Sequence, residues 1–267
     1  MQDYFKNLFV KEPLEIIDND YYYDADGDGD NFDEADEKDW LNGRFKSNWE
    51  YKRQGRGNLK ICDEIAGKIA EDSKPYLEIV CGPGMGLTPA ILGKNPELPC
   101  LAADACSRLI KAWRQYINGG ELKQHNISLA SFSAFDIPLK DNSFDYVTSF
   151  IGIGSTRNGL DGQMQALREV FRILKPGGSF VTIEGEFIDS AKVDEVFRLW
   201  GKYNWHSDKR YQQPWHDKFI SAGFKIDSYD KHYVHKWTKD DNDVGEAAEK
   251  FNIDIAMKYN LYILRKI

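Results

Sequence analysis

Apolar positions along the middle of this chain follow two alternating periods. Short, largely apolar runs bounded by turn formers fall at Tyr76–Val80, Cys100–Ala103, Ile127–Ser131, Phe144–Phe150 and Ser179–Ile183, and predict five strands. Between them the spacing changes to that of helices. Leu109, Ile110, Trp113 and Ile117 share one helical face, and Met164, Leu167, Phe171 and Leu174 share another in a helix expected from about Gly162 to Leu174. Lys175 and the run Pro176-Gly177-Gly178 mark the end of that helix. Thr88 and Pro89 read as the N-cap and first residue of a short helix that stops near Pro96. A further helix from about Ser190 carries Val193, Val196, Phe197 and Trp200 at i, i+3, i+4 and i+7.

Strand and helix therefore alternate from residue 74 to about 188, the order of a doubly wound parallel sheet. Regularity lapses over residues 200 to 216, where three Trp, two Tyr and two His show little periodicity and read as an insertion. It resumes at Gly223, and Leu261–Leu264 reads as a closing strand. The expected division is an N-terminal cap at 1–73 with an acidic loop at 18–39, a core at 74–190, a helix and aromatic-rich insertion or lid at 191–222, and strands at 223–267 completing the core sheet.

Composition bounds this picture. With 267 residues and 42% hydrophobic content the chain can bury one substantial core. No apolar run approaches the ~20 residues that span a bilayer and the N-terminus lacks a signal-peptide core, so a soluble, cytoplasmic protein without a membrane partner is expected. The four cysteines, Cys62, Cys81, Cys100 and Cys106, have no C-x-x-C spacing and read as reduced thiols.

The net charge of −8 is local rather than global. Residues 18 to 39 hold eleven Asp or Glu and one Lys, a net −10 that leaves the remainder close to +2. The basic residues that follow, Arg44, Lys46, Lys52, Arg53, Arg56 and Lys60, are too few and too mixed for a nucleic-acid stripe and read as a solvated helix face. Asp24-Ala-Asp-Gly-Asp-Gly29 opens like a calcium loop, with Asp24, Asp26, Asp28 and Asp30 as a weak ligand set. Position twelve is Ala35 instead of a bidentate Glu, which favours a solvated or disordered acidic loop.

The candidate chemistry begins at Glu78, where strand one runs into Gly82, Gly84 and Gly86. Glycines without a Cβ let backbone approach a ligand closely at a strand's carboxyl end, facing the crevice of an open α/β sheet. A dinucleotide fingerprint would need its third glycine at position 87, which is Leu87. Taken alone, the loop reads equally well as a turn.

Two downstream segments decide the matter. Ile137-Pro-Leu-Lys-Asp-Asn-Ser-Phe-Asp-Tyr-Val147 and Ala166-Leu-Arg-Glu-Val-Phe-Arg-Ile-Leu-Lys-Pro-Gly-Gly178, in order after the glycine loop and the acidic end of strand two, closely resemble the class I S-adenosylmethionine-dependent methyltransferases in their small-molecule, methyltransferase-11-like branch. The resemblance covers about residues 74 to 188. It implies a Rossmann-like, doubly wound seven-stranded sheet with the last strand antiparallel, here with the N-terminal cap and an insertion after strand five. It also implies S-adenosylmethionine as cofactor. Glu78 matches the acidic residue near the methionine end, Gly82 and Gly84, with Cys81 before them, the glycines beneath the cofactor, and Asp104 the carboxylate that accepts the ribose hydroxyls. Ala105 falls beside the adenine. Ser133 and Ala134 stand where relatives often have Asp-Ala, and Phe150 stands near the methionyl portion. Val80 departs from the family by replacing its first glycine.

Methyl transfer from a sulfonium is an in-line displacement on an activated carbon, so positioning and desolvation supply much of the acceleration. If a base is needed, His206 and Glu186 rank first, ahead of His216, His232, His235 and Glu184. Residues 200 to 216 and Trp40–Tyr51 are the candidate lids. The leading expectation is methylation of a small-molecule acceptor. A catalytically silent cofactor-binding regulator or scaffold is the alternative, and a macromolecule methyltransferase lacks both a basic stripe and the expected segment after strand four. Neither acceptor atom nor oligomeric state is legible.

Overall fold

A computed structural model describes residues 4–23, 32–201, 213–240 and 243–267. Its described strands are β1 (Glu15–Ile17), β2 (Asp20–Tyr22), β3 (Tyr76–Ile79), β4 (Cys100–Asp104), β5 (Ile127–Ser131), β6 (Phe144–Phe150), β7 (Leu174–Phe187), β8 (Phe224–Ser228), β9 (His232–Lys236) and β10 (Ala256–Lys266). They form one ten-stranded sheet in the order β1-β2-β5-β4-β3-β6-β7-β10-β8, with β9 also paired to β10. Strands β2, β5, β4, β3, β6 and β7 run parallel, and β10 is antiparallel to β7, β8 and β9. This is the expected Rossmann-like α/β sheet with an antiparallel closing strand, but it is larger than the seven strands expected.

The period of two explains the layering. Along β3, Tyr76 faces one hydrophobic cluster and Leu77 and Ile79 the other. The first cluster is covered by helices α2 (Phe45–Arg53), α3 (Asp63–Asp72), α4 (Thr88–Leu92) and α5 (Ser107–Gly119), and the second by α6 (Gly159–Ile173) and α8 (Trp215–Ser221). A smaller cluster joins α7 (Ser190–Trp200) to α9 (Asp243–Lys250) through Val193, Val196, Phe197, Ala247 and Ala248. On α5 the predicted stripe of Leu109, Ile110, Trp113 and Ile117 is fully buried.

Three expectations change. Helix α6 buries Ala166, Leu167, Val170 and Ile173, leaving Met164 and Phe171 at the margin, and Leu174 already belongs to β7. The Pro176-Gly177-Gly178 stop lies inside β7 as an irregularity, with Gly177 at φ +76 absorbing extra residues between the pairs Phe144↔Leu174 and Tyr146↔Ser179. Thr88 is not an N-cap, for its hydroxyl turns to the Glu78 carboxylate at 3.5 Å.

The acidic stretch is also more structured than its charge implies. Asp20 in β2 is wholly buried because Arg114 donates two hydrogen bonds to it at 2.6 and 2.7 Å and the Leu129 amide a third at 3.1 Å. Burial still pushes the Asp20 carboxyl above its ordinary range despite that partner. Helix α1 (Glu34–Asp39) is opened by a reciprocal capping box between Asp33 and Asp36. The calcium candidates Asp24, Asp26, Asp28 and Asp30 lie outside the described residues.

Candidate active site

Strands β3, β4 and β6 end side by side, and beyond their carboxyl ends lies a cavity of about 470 Å³. Its floor is the turn after β3. The Gly86 amide closes this turn onto the Cys81 carbonyl at 2.9 Å, and Gly82 and Gly86 take φ of +56 and +51. A Cβ on Gly82 would meet no protein atom within 4 Å, so the space above that residue belongs to the cavity. A Cβ on Gly86 would overlap the Glu78 carboxylate. Val80, where the resemblance calls for glycine, takes the left-handed conformation at φ +51, as does Ile151 at φ +57 on the neighbouring strand end. Both β-branched residues line the cavity, a backbone strain concentrated at a ligand site.

Glu78 lies under this floor with no exposed surface. Its Oε2 accepts hydrogen bonds from the Thr148 hydroxyl at 2.7 Å and the Leu87 amide at 3.0 Å, while Oε1 is buried with no partner among the described residues. Desolvation dominates, and the Glu78 carboxyl is pushed up to about 7 against the lowering pull of Thr148, Leu87 and Lys52.

Asp104, at the end of β4, is held at the cavity edge by the amides of Gly82 and Cys106, each 3.0 Å from a carboxylate oxygen. Cys81, Gly82, Gly84, Ala105, Ala134 and Phe150 also line the cavity. Ser133 does not: its hydroxyl accepts the Phe135 amide at 3.2 Å, and Phe132 and Phe135 present apolar surface on either side of it. A purine between Ala105 and these rings with a ribose diol at Asp104 fits this half of the cavity, and the glycine floor leaves room for the chain beyond it.

The opposite wall comes from the N-terminal region. Phe45, Asn48, Trp49 and Lys52 recur at i, i+3, i+4 and i+7 on α2, so packing Phe45 and Trp49 against Trp113 of α5 carries Asn48 and Lys52 to the cavity. Lys52 is therefore no solvated residue: it is 7% exposed. Its Nζ donates to the carbonyls of Gly84 and Gly86 at 2.8 and 3.0 Å and sits 4.7 Å from the Phe150 ring centre. Burial lowers its ammonium to about 8, opposed by the charge of Glu78. The same helical stripe was visible in the sequence, hidden by the basic residues around it. Trp40, from the lid candidate Trp40–Tyr51, and Phe32 add aromatic surface to this wall.

Of the proposed bases, Glu186 is not brought here. Glu186 stands off the cavity, accepting the Asn260 side-chain amide at 3.0 Å and lying 3.8 Å from Lys258. His206 falls outside the described residues. His216 is exposed beside Asp217, and His232 and His235 lie in β9. Glu184 is buried beneath the loop after β6, taking the Gly154 amide at 3.2 Å and the Thr182 hydroxyl at 3.0 Å, and burial pushes it up to about 8.

A sheet of this order, with a glycine turn over one buried strand-end carboxylate and a second at the cavity edge, is the arrangement that the resemblance to class I S-adenosylmethionine-dependent methyltransferases implies. Residues 77–182 match the family model described as a methyltransferase domain. The demethylmenaquinone methyltransferase of Listeria welshimeri is 32% identical over 169 residues, 63% of this chain, and that of Geobacillus stearothermophilus is 34% identical over 130 residues, 48% of this chain and 53% of the relative. The alignment spans 64% of the Listeria protein's length. Among solved structures, a candidate methyltransferase of Bacillus halodurans superposes with a TM-score of 0.54 at 17% identity, over 75% of this chain and 98% of that one. The YcgJ protein of Bacillus subtilis gives 0.51 at 16% identity, over 74% and 95%. Those two likenesses are of fold.

Proposed function

We propose that this chain transfers a methyl group from S-adenosylmethionine to a small-molecule acceptor. The observation that carries the reading is the juxtaposition of the Asp104 carboxylate with the open space over Gly82, in the same turn whose Gly86 covers the buried Glu78. In this reading Asp104 holds the ribose hydroxyls, and Ala105 and Ala134 flank the adenine. Cys81, Gly82 and Gly84 pass beneath the chain of the cofactor, Glu78 supplies negative charge below the glycine turn, and Phe150 packs on the methionyl portion. The Ser133 side chain is assigned no contact, because it does not line the cavity. The cofactor supplies an activated methyl carbon on a sulfonium, ready for in-line displacement.

The residues of this chain then act by binding, orientation and exclusion of water. Ile151, Ser155, Thr156 and Arg157 after β6 form the remaining wall of the cavity. With Phe32 and Trp40 across from them, they suit an acceptor with a largely apolar, planar body. The demethylmenaquinone activity of the relatives is a quinone chemistry compatible with such a wall. No base is assigned to Glu186 or His206. The proposed organisation keeps the cap at 1–73, the core at 74–190, the insertion at 191–222 and the closing strands at 223–267. Among the described residues no helix is long and apolar enough to cross a membrane. All four cysteines are free and buried, which supports a reducing, cytoplasmic setting.

Calorimetric titration of the purified chain with S-adenosylmethionine and S-adenosylhomocysteine tests the reading. Saturable binding of both, followed by methyl transfer to a member of a quinone and phenol panel, is the expected result. Absence of binding defeats it, and binding without turnover on any acceptor would instead support a silent regulator.

A further inference from the structure

Lys52 is a buried charge whose surroundings do not balance it. It reaches the cavity from α2, outside the matched residues 77–182, and two of its three donors are spent on the carbonyls of Gly84 and Gly86. Carbonyl dipoles and the Phe150 face solvate an ammonium only partly, and the neighbouring carboxylate of Glu78 lies beneath the glycine floor. One turn earlier on the same face, Oδ1 of Asn48 is buried without a partner among the described residues, and a Cβ on Gly84 would lie 3.3 Å from it and 2.6 Å from the Lys52 Nζ. An unfilled donor and an unfilled acceptor thus stand together over the third position of the glycine turn.

We propose that Lys52 and Asn48 form a clamp for the amino-acid end of the methyl donor. The third N–H of Lys52 takes the α-carboxylate, and Oδ1 of Asn48 accepts from the α-ammonium. The orientation follows from the cavity's two ends. Asp104, Ala105 and Ala134 lie at the nucleoside end, and Lys52 and Asn48 meet the glycine turn beyond Gly82, where a molecule threaded over that residue presents its other terminus. A zwitterion supplies both the anion that Lys52 lacks and the donor that Asn48 lacks, each with charge-assisted geometry. The N-terminal helix thereby becomes part of donor recognition. Donors lacking the amino-acid terminus would be bound by the core contacts alone.

This inference rests on the methyl-donor reading, and the experiment separates the two. Calorimetry on the full chain compares S-adenosylhomocysteine, its decarboxylated analogue and 5′-methylthioadenosine, which lacks the whole amino-acid end. The wild-type chain should bind S-adenosylhomocysteine about 10- to 100-fold more tightly than the decarboxylated analogue. Lys52→Met should remove that preference while leaving 5′-methylthioadenosine affinity within about twofold. Asn48→Leu should weaken both S-adenosylhomocysteine and its decarboxylated analogue, which keep the ammonium, and leave 5′-methylthioadenosine unaffected. Equal wild-type affinity for S-adenosylhomocysteine and its decarboxylated analogue would overturn the clamp without requiring any variant to fold. Undiminished binding of S-adenosylhomocysteine by a folded Lys52→Met chain would overturn it too, assigning the ammonium to an anion on the acceptor. Failure of the wild-type chain to bind any of the three overturns the donor reading itself.

Discussion

Replacing Glu78 by Gln should make the protein more stable near neutral pH while weakening its hold on the methyl donor. Gln is nearly isosteric: its carbonyl oxygen can keep the bonds from Thr148 and the Leu87 amide, and its NH₂ falls where Oε1 has no partner. What disappears is the ionised form. The folded carboxyl titrates near 7 instead of the model-peptide 4.5. The folded state therefore binds the proton more tightly than the unfolded chain, and the wild-type stability is full below about 4.5 and falls as pH rises towards 7. Each unit of difference is about 1.4 kcal/mol, so the wild-type chain loses about 2 kcal/mol between about pH 5 and about pH 7 that Glu78→Gln retains. Lys52 stays protonated in the wild-type chain over this window, and titrations other than those of Glu78 and Lys52 cancel in the comparison. Urea unfolding of both proteins at the two pH values measures the difference, with calorimetry of S-adenosylhomocysteine binding run alongside. A stability difference independent of pH would refute the account of Glu78, as would a more stable variant that binds the donor equally well.

Three further outcomes follow from the same geometry. Asp104→Ala removes the acceptor for two backbone amides and for the ribose diol, so S-adenosylhomocysteine affinity should drop about 10- to 100-fold by calorimetry, and an unchanged affinity would remove Asp104 from the site. Gly86→Ala forces a left-handed backbone on a residue whose Cβ overlaps the Glu78 carboxylate, and should lower stability by about 3 kcal/mol, read as a shifted urea midpoint at unchanged slope. Asp20→Ala leaves Arg114 buried without its carboxylate and the Leu129 amide without an acceptor, so a loss of about 3 to 5 kcal/mol is expected, and a loss below about 1 kcal/mol would mean the N-terminal strands do not depend on this pair.

What could be read from sequence was whatever is encoded locally. The strands ending at Glu78, Asp104 and Phe150 and the helix stripe of Leu109, Ile110, Trp113 and Ile117 carry their own periodicity. Thr88 misled because a hydroxyl before Pro89 looks like a cap whether or not a buried carboxylate lies across from it. Glu186 misled because strand-end position says nothing about face: it shares the face of Glu184, while Phe150 and Ile151 open onto the cavity. The charge of residues 18 to 39 suggested solvent throughout, yet β2 enters the sheet because Arg114, nearly a hundred residues away, neutralises Asp20.

The sequence by itself determined the alternation of strands and helices that makes a doubly wound sheet and the glycine turn with its two strand-end carboxylates, since each follows from spacing within a dozen or so residues. Only the tertiary structure decided that Lys52 points inward among basic residues that point out, that the sheet grows beyond seven strands, and which carboxylates meet the cavity. Those outcomes depend on which helix face finds Trp113 and on which distant charge repays burial, and such information resides in packing across the fold.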